Sequence, residues 1–141
     1  MNPSAFPISR RGMIALVSLF GVSGCVGSSF DDKVAKDRYI SLIKQDPMFT
    51  WMPPGNLHRE VYYTPMEPQP LASRDSLVSV VYSVSDSSTI PALVNLALEA
   101  SLAHGYDAAG KRDAGGTIIL LSIQALSGNL GFSLIFRAPV S

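Results

Sequence analysis

The stretch TIILLSIQALSGNLGFSLIFR, residues 117–137, decides the fold. Thr117 to Ala125 and Leu130 to Arg137 are rich in β-branched and aromatic residues, so both read as strands. Leu126-Ser127-Gly128-Asn129 between them is turn chemistry, and the pair reads as a hairpin. Ile118, Ile119, Leu120 and Leu121 are apolar on both strand faces. Both faces of the sheet are therefore expected to be covered, the second by the first helix, by the Pro-rich segment or by a partner.

Upstream, Leu77 to Val84 alternates, with Val78, Val80, Tyr82 and Val84 on one face, as a half-buried strand should. Ser87, Ser88 or Thr89 then caps a helix with Pro91 in its first turn, and Gly105 stops it after Ala103-His104. Leu93, Val94, Leu96, Ala97, Leu98, Ala100 and Leu102 make this helix apolar nearly all round, which predicts cover over most of its circumference. The helix returns the chain so that the Thr117 strand runs parallel to the Leu77 strand. The Leu130 strand then lies antiparallel between them, in the middle of the sheet.

Asp31 to Gln45 reads as a further helix, with Ala35, Tyr39, Leu42 and Ile43 on one face, a cap from Ser29, and Pro47 forbidding continuation. Six of the ten prolines fall within residues 47–70, which makes that stretch extended. Inside it, Glu60 to Thr64 has the pattern of a short edge strand closed by Pro65. The expected class is α+β: a small two-layer sandwich, a three- to four-stranded mainly antiparallel sheet packed with one apolar helix, plus an N-terminal amphipathic helix. With 47% hydrophobic residues over the whole chain, 31–141 has the length for one domain with one core.

The amino terminus carries a different signal. A basic start with Arg10 and Arg11, an apolar run from Met13 to Val22 and small residues before Cys25 form the three parts of a secretory leader. Cys25 is the only cysteine, so it has no partner for an internal disulfide. An uncharged run spans residues 12–30, long enough for an uncleaved anchor, but its many Gly and Ser residues argue against a spanning helix.

Val22-Ser23-Gly24-Cys25 resembles the cleavage box of bacterial lipoprotein signals, an aliphatic residue and two small ones before cysteine. The resemblance implies a leader of residues 1–24, a diacylglyceryl thioether on Cys25, a tether over 25–30, and attachment to the extracytoplasmic face of the cell membrane. Ser9-Arg10-Arg11-Gly12-Met13-Ile14 is similar to a twin-arginine export signal, the alternative being an ordinary basic start for general secretion. The whole layout, including a helix ending in Asp-Pro-Met, a Trp and Pro-Pro-Gly run and an Ala-rich helix ending in Gly-Tyr, is similar to small uncharacterised bacterial lipoproteins of the Gram-positive type. That resemblance implies no catalytic residues and no cofactor.

Charge excludes one class of partner. Removing Arg10 and Arg11 with the leader leaves the 11 acidic side chains in excess of the basic ones by two, and no basic cluster stands ready to neutralise phosphates. Gly105-Tyr106-Asp107-Ala108-Ala109-Gly110-Lys111 has the spacing of a phosphate-binding loop. Arg112 stands where a magnesium-binding hydroxyl belongs, and the segment follows a helix instead of opening one, so it reads as a helix stop and a loop. His58 and His104 are the only histidines, too few alone for zinc, with only carboxylates such as Glu60 or Glu99 to complete a site. No nucleophile elbow is present.

Asp46-Pro47-Met48-Phe49-Thr50-Trp51-Met52-Pro53-Pro54-Gly55 is the most distinctive stretch of the mature chain. Phe49, Trp51, Tyr62 and Tyr63 are a possible binding surface for an envelope protein or a glycan, since rigid aromatics lose little entropy on binding. The competing reading has Phe49, Trp51 and Met52 covering the sheet. The expected function is a lipid-anchored, non-enzymatic binding or interaction module. A small-ligand or lipid carrier and a cell-wall hydrolase are the alternatives; the hydrolase requires His58 or His104 in a cleft beside a carboxylate.

Overall fold

The computed structural model describes residues 30–55, 57–66 and 75–139. Arg10, Arg11, Cys25 and the tether up to Ser29 lie outside the described residues. The chain divides into two compact units, Met1–Lys33 and Val34–Ser141, and the sheet with its covering helices belongs to the second. Of the first, residues 30–33 are described, and the chain is helical over 30–36.

The expected helix from Asp31 to Gln45 is interrupted at Asp37. Its carboxylate accepts from the N–H groups of Tyr39 at 2.9 Å and Ile40 at 3.0 Å, which makes it the N-cap of a new helix, α1 (Arg38–Lys44). A carboxylate that can satisfy two orphan amides stabilises a fresh start, and the amphipathic periodicity hid the break because it continues across it. Asp46 repeats the device, accepting from Met48 N–H at 2.9 Å to start the single turn α2 (Pro47–Thr50).

Five strands form one antiparallel sheet: β1 (His58–Thr64), β2 (Ser76–Ser83), β3 (Lys111–Ala114), β4 (Thr117–Ala125) and β5 (Gly131–Ala138), in the order β1-β2-β5-β4-β3. The last strand lies in the middle, between β2 and β4, which run parallel to each other, and β1 is an edge, as the sequence predicts. The expected three to four strands become five, because β3 falls in a stretch that reads as loop. Lys-Arg-Asp-Ala has no β-branched or aromatic residue, yet it pairs with Thr117–Leu120 across the two-residue turn Gly115-Gly116, both at positive φ.

Register assigns the two faces of the sheet. Val61, Val80, Leu134 and Ile123 align across four strands and share the inner face with Val78, Tyr82, Phe132, Phe136, Ile119 and Leu121. Helix α3 (Ile90–Ala103) lies over β4 and β5, and α1 lies over β2 and β5. Ile40, Ile43 and Met48 join Leu93, Ala97 and Tyr106 in the same core. The first helix and the Pro-aromatic segment therefore cover the face already under α3, which overturns the expectation that they cover the second one. Leu77, Val81, Ile118, Leu120 and Ile135 on that second face stay half-buried among Ser79, Ser122 and Ser133, with no described element lying over them.

Among the described residues, no helix is long and apolar enough to cross a membrane.

Candidate functional site

Helix α3 buries a single stripe, Ile90, Leu93, Ala97 and Ser101, at helical spacing. Its sequence predicts far wider cover. Leu96, Leu98 and Leu102 are instead 39%, 47% and 58% exposed, because one sheet face offers contact to one side of the helix only. Singly exposed leucines are ordinary, but Leu98 and Leu102 are one turn apart on the flank that overhangs β4.

Between that flank and the sheet lies an open-sided groove of about 340 Å³. Leu98, Ser101 and Leu102 form its wall, Leu121 and Ile123 its floor, and the loop Asp107–Gly110 its end. The polar groups around it are already engaged. The Ser101 hydroxyl donates to Leu98 O at 2.7 Å, and the Asp107 carboxylate accepts from Ala109 N–H at 2.8 Å and Lys111 N–H at 3.0 Å. The loop amides that a phosphate would need are thus turned onto a side chain of the loop itself, which removes the phosphate-loop reading on geometry. What remains in the groove is mainly aliphatic surface.

The loop is held from beneath. Gly105, at φ +97°, ends α3 in the left-handed conformation and lets Tyr106 N–H return to Ser101 O at 3.0 Å. Tyr106 then points into the core, where its hydroxyl donates to Asp46 at 2.8 Å, and Arg112 on β3 donates to the same carboxylate oxygen at 2.9 Å. Asp46 is 1% exposed and has both oxygens occupied, since the other caps α2. Burial, followed by the Asp46 charge and its hydrogen bond, pushes the Tyr106 hydroxyl well above the usual phenol range, so it remains a donor at all physiological pH. The cluster fixes both ends of the loop to the α1–α2 corner.

The aromatic residues singled out from the sequence do not form one surface. Phe49 packs edge-on against Phe136 at 6.4 Å and Trp51 against Tyr82 at 6.1 Å. The Phe49 carbonyl accepts from Arg59, and the Trp51 carbonyl accepts the Tyr82 hydroxyl at 2.8 Å. Both are part of the inner layer, as is Tyr63, over whose ring Lys44 lies at 4.9 Å. Tyr62 projects from the opposite face of β1 and is exposed.

His58 and Glu60 sit beside Tyr62 on that outer face. The His58 ring is 3.2 Å from Glu60, whose other oxygen accepts the Tyr62 hydroxyl at 2.5 Å. Hydrogen bonds from Tyr62 first and His58 second hold the Glu60 carboxyl below its ordinary value. With His58 and Glu60 side chains 68% and 50% exposed, this is a solvated edge and not a cleft. His104 caps the end of α3 in the open, and Glu99 is exposed on the helix. Among the described residues, no group of three or more His, Cys, Asp or Glu side chains could hold a metal ion.

Sequence reasoning missed the groove because its two walls come from segments each expected to be covered. The available signal was the excess of leucine on α3 over what one sheet face can bury. Comparison with known proteins returns no matching family model, no matching curated protein and no matching solved structure.

Proposed function

We propose that this chain is a lipid-anchored, extracytoplasmic protein of the cell envelope whose α+β domain is a non-enzymatic binding module, with the α3–β4 groove as its binding surface. The observation that carries the binding part is the groove: about 340 Å³ of open-sided aliphatic space, flanked by Leu98 and Leu102 and without a disengaged catalytic group. Binding rather than catalysis is favoured because the groove is mainly Leu, Ile and Ala, which recognise by burial, and its two polar side chains, Ser101 and Asp107, are engaged with neighbouring backbone. The anchor rests on Val22-Ser23-Gly24-Cys25 and the leader before it.

The groove supersedes the Pro-aromatic segment as the proposed contact surface, since Phe49 and Trp51 are spent on the core. The carrier alternative uses the gap between helix and sheet and expects a dry, over-sized cavity there; the groove in that gap is open-sided, which suits a macromolecular partner better.

Two measurements test the reading. Cys25→Ser should release the protein from membranes or leave an uncleaved precursor; unchanged membrane retention with normal processing would defeat the anchor. A photo-crosslinker at Leu102 should trap one defined envelope partner, lost on Leu98→Asp, while the same probe at Glu60 should not. Equal trapping from both positions would remove the groove from the assignment.

A further inference from the structure

The floor of the groove is also an open sheet edge. Strand β3 pairs with β4 only over Thr117–Leu120, and Leu121 N–H then donates to Gly110 O at 2.7 Å. There the ladder stops. Gly110 adopts φ +81° and its own N–H turns to Asp107 O at 3.0 Å, so the chain leaves the edge. A Cβ on Gly110 would collide with the Leu121 carbonyl, so only glycine allows this close departure.

Backbone groups of alternate residues on a strand point to the same side. The N–H and C=O of Ile123 and Ala125 therefore continue the row that Leu121 begins, directed away from β5. Among the described residues, no strand pairs with them on that side, since the sheet ends at β3 and its register ends at Leu120. Natural edges are blunted with charge, proline or bulges. The opposite edge is: β1 opens with His58-Arg59-Glu60 and is closed by Pro65. Ser122-Ile123-Gln124-Ala125-Leu126 has no charge and no proline.

We infer that an extended peptide segment of another protein adds to the free edge of β4, in line with β3, and places an aliphatic side chain in the groove. The inference rests on the binding-module reading and supplies its ligand class. Two separate features call for the same occupant. Backbone donors and acceptors at Ile123 and Ala125, without a strand partner on that side among the described residues, can pair with a main chain, and the groove can take an apolar side chain. Geometry joins them. A residue paired with Ile123 presents its side chain on the same face of the sheet as Ile123, toward Leu98 and Leu102. The main chain would supply affinity and the groove selectivity, the division found in strand-addition sites. The one charged residue of the groove, Asp107, sits at its end and is engaged by its own loop amides, while Leu98, Leu102, Leu121 and Ile123 line the rest, so the inserted side chain is apolar. The free stretch of edge is short, bounded by the end of β3 at one side and the Leu126–Leu130 turn at the other, which suits a short peptide segment.

The test uses the full-length chain in detergent micelles and capped synthetic hexapeptides that alternate Thr with Leu, Val or Phe. Binding is followed by peptide fluorescence anisotropy and by hydrogen exchange at the Ile123 and Ala125 amides. At least one peptide should bind and slow exchange at both amides. N-methylation of the peptide amides in the register that faces β4 should weaken binding about tenfold or more, and N-methylation in the other register should leave it unchanged. Leu102→Glu, at an exposed position that the fold tolerates, should also weaken it about tenfold. Equal effects of the two N-methylated registers, unprotected amides, or no binding would each overturn strand addition. So would self-association of the chain abolished by Leu102→Glu, which would assign the edge to a second copy. If the peptides fail while the crosslinker at Leu102 still traps a defined envelope partner, strand addition falls and the binding module stands; if both fail, both fall.

Discussion

The Tyr106 hydroxyl donates a 2.8 Å hydrogen bond to the buried Asp46 carboxylate across 60 positions of sequence. It ties the loop after α3 to the corner between α1 and α2, and Arg112 shares the same oxygen. A carboxylate with no solvent contact is tolerated only because a tyrosine, an arginine and a backbone amide satisfy it together.

Asp46→Ala should therefore cost about 2–4 kcal/mol, because it leaves the Tyr106 hydroxyl and the Arg112 guanidinium facing a void. Tyr106→Phe should cost only about 1 kcal/mol, since Asp46 keeps two partners. Urea unfolding of both variants and of the double variant measures the coupling. Additive losses would show that the two groups act independently.

Asp37 predicts the acid limb of stability. Burial disfavours its ionised form, but hydrogen bonds from Met66, Ser76, Ile40 and Tyr39 outweigh that and hold the carboxyl below its ordinary 3.8. A carboxylate depressed in the folded state stabilises fully above its unfolded value, and that contribution is lost as pH falls through the folded value. Melting temperature should therefore drop below about pH 4. Asp37→Asn should flatten that slope and cost about 1 kcal/mol at neutral pH through the weakened cap. An unchanged acid slope would assign the effect to other carboxylates.

Trp51→Ala should destabilise by about 2–3 kcal/mol, less than a fully buried tryptophan because Trp51 is half-buried against Tyr82. Tyr62→Ala, on the open face of β1, should change stability by no more than about 0.5 kcal/mol. Thermal melts compare them directly. Equal effects would mean that the two aromatics share an environment, contrary to their opposite faces.

Gly110→Ala should destabilise by about 2 kcal/mol or more, as it combines a left-handed backbone with a collision against the Leu121 carbonyl. Gly115→Ala meets no neighbour and strains only the turn, so about 1 kcal/mol is expected. Denaturant midpoints would separate the two. A neutral Gly110→Ala would show that the β3–β4 ladder can slide past its present end.

How legible each part was depends on where its physics resides. The 126–129 turn, the β4–β5 hairpin, the central place of β5 and the edge position of β1 follow from local signals: turn residues, alternation and proline. Strand β3 was hidden because Lys-Arg-Asp-Ala has no strand propensity of its own and is held by its partner and a Gly-Gly turn. The interruption at Asp37 was hidden because Asp37 also reaches Ser76 Oγ, 39 positions away, at 2.7 Å. The groove was hidden because residue counts show how apolar α3 is but not how much of it the sheet can reach.

By itself the sequence determined the α+β class and the antiparallel order of the central strands, because these depend on periodicity, turn chemistry and composition within short windows. Only the tertiary structure decided that α1, the Pro-aromatic segment and α3 all share one sheet face. The same is true of Asp46, Tyr106 and Arg112 meeting at one oxygen, and of β4 running on past the end of β3 beside exposed leucines. Each of these depends on which distant surfaces meet. That is settled by the limited area one sheet face can cover and by the need to satisfy every buried polar group, and neither quantity is local to any stretch of chain.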